Sequence, residues 1–275
     1  TKFRKQSKGY GVWFHRAAGL AHGGDVIDIY AEAGHRKCCP GIDLRNRLSG
    51  YGLAMADPIR SEVAPWLAPV AMWATQDLAL RCYFKSTKVL GIEHLPRRGP
   101  VLLAPTHRSR WDALMLPMAA GRRIHGRDCR FMVTTTEMEG LQGWFLERLG
   151  CFAIDQSKPG TSSLRFALDL LGQGEQVVVF PEGTIRRDQR ELNLEPGLPR
   201  LASLAQLKGL RVPVVPVGLA YSHPIPRWWD RAALCFGAPL LLNGTGKTAA
   251  AELEERLAKQ MRSAEEAARA WVGNS

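Results

Sequence analysis

Between residues 100 and 220, short apolar runs alternate with amphipathic stretches. The runs at 101–104, 131–133, 151–154, 177–180 and 214–219 have the length of buried strands. Helical patterns at 111–120, 137–149, 161–172 and 197–208 separate them. Strand followed by helix, repeated, predicts an α/β fold with a mostly parallel central sheet flanked by helices, because each parallel connection needs a crossover. Further strands are expected at 88–92 and 232–236, and a polar helix rich in alanine and glutamate at 248–271. Upstream, 60–84 reads as an N-terminal amphipathic helix with Trp66, Met72, Trp73, Leu80 and Phe84 on its apolar face.

Residues 1–54 break this regularity. They are rich in Gly, His and Arg and hold no sustained period of 3.6 or 2, so they read as a poorly patterned, disordered extension. The chain opens on Thr1, and Met55 starts the first well-patterned stretch. An upstream extension or a mis-assigned start is therefore expected. An organellar transit peptide is the weaker alternative, since Asp25, Asp28, Glu32 and Asp43 are foreign to such acid-poor segments.

With 45% hydrophobic and 23% charged residues, the 275-residue chain can bury a core, which excludes collagen-like and wholly disordered chains. A net charge of +11 calls for an anionic neighbour: nucleic acid, anionic lipid or a phosphorylated substrate. Nucleic acid is disfavoured, because beyond residue 54 no basic stripe interleaves with aromatics. The six cysteines lack the spacing of a disulfide framework or a CxxC site. The longest apolar stretch, 65–80, is interrupted by Gln76 and Asp77, so membrane contact is expected to be peripheral.

One segment imitates a phosphate-binding loop. Gly244-Thr245-Gly246-Lys247-Thr248 precedes a helix, but the required glycine five residues before Gly246 is Leu241. A plain turn with Thr248 as N-cap is expected instead.

Two segments carry chemistry. After the run at 101–104 comes His107-Arg108-Ser109-Arg110-Trp111-Asp112, a histidine and a carboxylate five apart at a strand-to-helix junction. On one continuous helix that spacing would set the side chains roughly 140° apart, so they meet only if the backbone bends between them. An imidazole so placed can take a proton at neutral pH, and a carboxylate on its other nitrogen would fix the tautomer. The competing reading is a capping box, Ser109-x-x-Asp112, opening the helix beside an ordinary loop histidine. The second segment follows the run at 177–180 and reads Phe180-Pro181-Glu182-Gly183-Thr184-Ile185-Arg186-Arg187. Glu182, the Gly183 N–H, the Thr184 hydroxyl, Arg186 and Arg187 form a seat suited to a phosphorylated polyol; a solvated turn is the alternative. A third segment, residues 212–217, is an apolar strand with two prolines, which suggests an edge or a bulged path near a pocket.

Over residues 88–220 these segments resemble the glycerolipid acyltransferases of the 1-acylglycerol-3-phosphate acyltransferase (lysophosphatidic acid acyltransferase) type. His107 and Asp112 fit that family's HxxxxD motif, Phe180 to Thr184 its FPEGT motif, residues 143–155 its intervening block, and 212–217 its proline-containing strand. The resemblance implies a fatty acyl transfer from an acyl thioester to the free hydroxyl of 1-acylglycerol 3-phosphate, giving phosphatidic acid for phospholipid synthesis. His107 would act as general base and Asp112 would orient it. Arg108, Ser109, Glu182, Gly183, Thr184, Arg186 and Arg187 would hold the acceptor. The resemblance implies no metal and no cofactor; the donor would be an acyl carrier protein or coenzyme A thioester. A monotopic or peripheral protein at the cytoplasmic face of an anionic membrane is expected, with residues 55–87 as the contacting helix, 88–240 as the catalytic domain and 241–275 as a C-terminal helix; the alternative is that the 60–84 helix packs on the domain with its tryptophans as ordinary core. A second membrane contact is expected at residues 224–229. Transfer to glycerol 3-phosphate or another lysophospholipid, and a non-catalytic lipid-binding relative, are the alternatives. A hydrolase is disfavoured by the lack of a GxSxG elbow.

The chain departs from the family pattern at Thr106, where asparagine is common, at Ile185, where arginine follows FPEGT, and at Thr136 and Gln156, where basic residues are common. Phosphate recognition would then shift to Arg186 or Arg187, or the site would favour a different head group.

Overall fold

The computed structural model describes residues 59, 61–155, 161–187 and 192–273, and residues 1–54 lie outside them. Among the described residues, seven strands form one sheet in the order β1-β7-β6-β2-β5-β3-β4. They are β1 (Phe84–Leu90), β2 (Val101–Pro105), β3 (Cys129–Thr134), β4 (Phe152–Ile154), β5 (Gln176–Val178), β6 (Val214–Tyr221) and β7 (Asp230–Phe236). All neighbours pair parallel except β6 and β7. The mostly parallel sheet expected from the strand-helix alternation is therefore present. Its one antiparallel pair is joined by the short connection between Tyr221 and Asp230, which needs no crossover helix.

Helices cover both faces. On one side the core gathers Leu80, Phe84, Met115 and Leu116 around inward residues such as Leu103, Val215 and Val217. On the other it gathers Leu164, Leu168, Leu201 and Leu257 around Leu102, Val177 and Val214. Successive residues of β2 and β6 thus serve opposite cores, as the two-residue period of a strand requires. The covering elements are α1 (67–83), α2 (Asp112–Ala120), α3 (Arg122–His125), α4 (Gly140–Arg148), α5 (Thr161–Gly172), α6 (Gly197–Leu207) and α7 (Gly246–Gly273).

The first helix differs from its sequence pattern. An α-helical turn Leu67–Met72 passes into π-helical Trp73–Ala79 and back into Leu80–Tyr83. In an α-helix, residues seven apart return almost to the same side. The wider i→i+5 winding advances each residue through a smaller angle, so Trp73 and Leu80 rotate apart. Trp73 is 57% exposed and Leu80 1%. Trp66, Met72, Trp73, Leu80 and Phe84 therefore do not share one face: Phe84 already opens β1 and is buried with Leu80, while both tryptophans face out.

Three further expectations shift. The first strand ends at Leu90 rather than 92, because Gly91 adopts φ 65° against Phe236 of β7, where a Cβ would stand 2.2 Å from the Phe236 carbonyl oxygen. Helix α7 begins at Gly246, so Thr248 lies inside its first turn. The proline-containing strand β6 is central and buried throughout, not an edge. Val214 exchanges both backbone bonds with Leu240, and the Pro216 carbonyl accepts from Gly237. Pro216 thus turns its backbone toward the break in pairing after Phe236, where its missing N–H interrupts no ladder bond.

Candidate active site

Strands β2 and β5 are parallel neighbours, so the two motif loops leave the sheet at the same end. Backbone bonds then join them: Arg186 N–H donates to the His107 carbonyl at 2.8 Å, and His107 N–H donates to Glu182 Oε1 at 3.0 Å. Thr106 binds the same region to β6, its N–H donating to Val217 O at 2.8 Å and its hydroxyl accepting from Leu219 N–H at 2.9 Å.

The chain bends between His107 and the start of α2, and the bend brings His107 Nδ1 to 2.9 Å from Asp112 Oδ2. Asp112 is fully buried. The same Oδ2 accepts the N–H groups of Arg108 at 2.6 Å and Ser109 at 2.8 Å, while Oδ1 accepts the Tyr221 hydroxyl at 2.6 Å. A carboxylate that accepts from this many donors is fixed in position. The capping reading and the dyad reading hold together, since the Ser109 N–H bond is half of a capping box and Ser109 Oγ accepts from Trp111 N–H at 3.3 Å. With Nδ1–H donating to Asp112, the neutral imidazole keeps its acceptor lone pair on Nε2. The ring stacks on Phe180 at 4.2 Å between centroids, and its side chain retains 19% exposure toward solvent.

Tyr221 carries no motif and lies 109 residues from Asp112 in sequence. Burial, followed by the charge and bond of Asp112, holds its hydroxyl pKa well above the usual value, so it remains a neutral donor. Tyr221→Phe removes one bond to a charged group, worth about 1.5–3 kcal/mol. We expect kcat to fall roughly tenfold with KM little changed, as steady-state kinetics on the purified variant would show; an unaltered kcat would deny Tyr221 a part in holding the dyad.

Arg108, Ser109 and Glu182 were expected at the acceptor, but they are turned inward. Arg108 is ion-paired with Glu182 at 2.9 Å and with Glu265 of α7 at 2.7 Å, its side chain 7% exposed. Burial alone would lower the Arg108 pKa, but the bonds and charges of Glu265 and Glu182 outweigh it and raise the value. Ser109 and Glu182 are likewise buried. Facing outward at the loop surface are Thr184 and Arg187, with Gly183, Ile185 and Arg186 partly exposed beside them. Gly183 has φ 69°, a turn conformation open to glycine and strained for other residues. The fold thus brings all the motif residues together, with the charged Arg108–Glu182 pair beneath the surface and the 183–187 backbone above it. Among the described residues, no group of three or more His, Cys, Asp or Glu side chains is arranged to hold a metal ion.

Residues 86–220 match the family model described as Acyltransferase. The chain is 30% identical over 138 residues to the 1-acyl-sn-glycerol-3-phosphate acyltransferase of Bacillus subtilis (strain 168), an alignment covering 50% of this chain and 63% of that relative. The match therefore spans somewhat less than two thirds of the relative's length. The crystal structure of the 1-acyl-sn-glycerophosphate (LPA) acyltransferase PlsC from Thermotoga maritima is similar with a TM-score of 0.53 at 18% identity, covering 73% of this chain and 78% of that one. At this identity the likeness is one of fold. Residues 86–220, just under half of the chain, are thus similar to that family model, and both motif loops they carry lie at one end of a shared sheet.

Proposed function

We propose that this chain transfers a fatty acyl group from an acyl thioester to the free hydroxyl of 1-acylglycerol 3-phosphate, making phosphatidic acid. The observation that carries the reading is the 2.9 Å bond from a partly exposed His107 to a fully buried Asp112, beside the FPEGT loop. His107 Nε2 removes the acceptor's hydroxyl proton as that oxygen attacks the thioester carbonyl carbon, and Asp112 stabilises the imidazolium that forms. Collapse of the tetrahedral adduct breaks the carbon–sulfur bond, and the departing thiolate takes the proton back from His107. The products are the diacyl phosphate and a free thiol. A coenzyme A or acyl carrier protein thioester fits as donor, and a net charge of +11 suits either an acidic carrier or an anionic substrate.

For the acceptor phosphate, Ile185 stands where the family pattern has arginine. Arg186 and Arg187 are the nearest cations along the loop, with the Thr184 hydroxyl and the Gly183 backbone beside them; guanidinium groups match phosphate oxygens by paired donors. Acyl transfer by purified protein to lysophosphatidic acid, glycerol 3-phosphate and lysophosphatidylcholine, with each thioester class, tests the assignment. Labelled phosphatidic acid is the expected product. Folded protein that acylates none of the three would contradict the function, and transfer to lysophosphatidylcholine alone would contradict the acceptor.

Among the described residues, no helix is long and apolar enough to cross a membrane. Peripheral attachment is supported by exposed aromatics beside basic groups. Trp66 (63% exposed) lies 6.5 Å from Trp144, over whose ring the Arg148 guanidinium sits at 4.0 Å. Ile225, Trp228 and Trp229 are exposed on the loop between β6 and β7. Indole and guanidinium groups suit the headgroup zone of a cytoplasmic leaflet. Wild-type protein is expected to float with anionic vesicles, and Trp66→Ala/Trp73→Ala to lose about tenfold in bound fraction, equivalent to ~1.4 kcal/mol. Wild-type protein left at the bottom of the gradient would contradict the attachment.

A further inference from the structure

The stretch that matches the family ends at residue 220, yet α7, which follows it, sends a carboxylate beneath both motif loops. We infer that Glu265 is a positioning residue for acyl transfer, holding the Arg108 guanidinium so that Arg108 in turn fixes Glu182 and the His107 backbone; this rests on the reading of His107 as the general base.

The geometry is a two-sided clamp. Arg108 Nε donates to Glu265 Oε1 at 2.9 Å and Nη2 to Glu265 Oε2 at 2.7 Å, a paired contact across 157 residues of sequence. The remaining nitrogen, Nη1, donates to Glu182 Oε1 at 3.0 Å and Oε2 at 2.9 Å, to the Arg186 carbonyl at 3.0 Å and to the His107 carbonyl at 3.2 Å. One guanidinium therefore binds both motif loops, but its orientation is set from α7. Arg269, one turn further along α7, also pairs with Glu265, so two arginines balance two glutamates. Burial by itself would raise the Glu265 pKa; the bonds and charges of Arg108 and Arg269 overcome it and hold the carboxyl below its usual range.

Two physical points argue for a role beyond holding the helix in place. A buried ion pair is a weak source of stability compared with apolar packing, and α7 already has Leu253, Leu257 and Met261 buried for that purpose. The approach of α7 is also specific to this spot. A Cβ on Gly218 of β6 would stand 2.0 Å from the Glu265 backbone nitrogen, so glycine lets the helix come close where the carboxylate enters. Without Glu265, Nε and Nη2 of Arg108 would lie buried without their acceptor, and the guanidinium would tilt toward Glu182. The His107 backbone bonds to Glu182 and Arg186 would shift with it.

The test compares Glu265→Gln, Glu265→Asp and Leu257→Ala with wild type, at a temperature well below each melting midpoint and per mole of folded protein. Leu257 is buried on the same helix in the core around Leu201 and Val214 and is no hydrogen-bonding partner of the clamp, so Leu257→Ala weakens α7 docking and leaves every clamp residue in place. Glu265→Gln is expected to lower kcat about ten- to hundredfold with KM within about threefold, Glu265→Asp to fall between it and wild type, and Leu257→Ala to keep its kcat. A wild-type kcat in Glu265→Gln would overturn the inference, as would an equal loss in Leu257→Ala. If Glu265→Gln does not fold, Glu265→Asp decides: a wild-type kcat there overturns the inference, and a lowered kcat at constant KM supports it. Active wild type with inactive His107→Ala and unaffected Glu265 variants would sink this inference alone. Inactive wild type on every acceptor would sink the functional reading and this inference together.

Discussion

His107→Ala is expected to lower kcat for acyl transfer by about 10²–10⁴-fold, the usual contribution of a positioned general base. The protein should stay folded. Asp112 keeps three of its four donors in the variant, the N–H groups of Arg108 and Ser109 and the Tyr221 hydroxyl, so its charge is not left buried and unpaired. The lost ring contact with Phe180 lies at a partly exposed position, which limits the cost in stability. Circular dichroism and a melting curve alongside the kinetics separate the two effects. A variant that melts like wild type and still transfers acyl groups at the wild-type rate would remove His107 from the chemistry.

Asp112→Asn should be nearly as damaging for a different reason. The amide oxygen can occupy the Oδ2 position and still accept from His107, Arg108 and Ser109, and the amide nitrogen can face the Tyr221 hydroxyl oxygen, which accepts when its proton turns away. The geometry survives, but the negative charge that stabilises the imidazolium is gone. We expect kcat to fall about 10²–10³-fold with little change in the acceptor KM, the signature of an interaction made mainly in the transition state. A rise in the acceptor KM at unchanged kcat would instead assign Asp112 to acceptor binding.

Much of this site was legible before the fold. The strand-helix alternation placed both motifs at strand ends, and the five-residue spacing from His107 to Asp112 demanded the bend that the junction supplies. What stayed hidden came from residues whose significance depends on tertiary contact. Tyr221 and Glu265 lie 109 and 157 residues from their partners, Asp112 and Arg108, on a strand and a helix that read as ordinary core and ordinary polar surface. The motif charges also misled in one respect. A sequence shows that Arg108 and Glu182 are charged, but not that each is the other's partner, and the pairing turns both away from the loop surface. The π-helical winding of Trp73–Ala79 also stayed hidden, because its sequence fits an α-helical period equally well.

Direct attack by the acceptor hydroxyl, under base catalysis from His107, can be observed in a single-turnover experiment. Excess purified protein is mixed with a labelled acyl thioester, with and without lysophosphatidic acid, then quenched and separated into protein, lipid and thioester fractions. Label is expected to pass straight from thioester to phosphatidic acid when the acceptor is present, with no covalently labelled protein in either mixture. Label on the protein that later moves to the acceptor, or none reaching phosphatidic acid from folded protein, would contradict it.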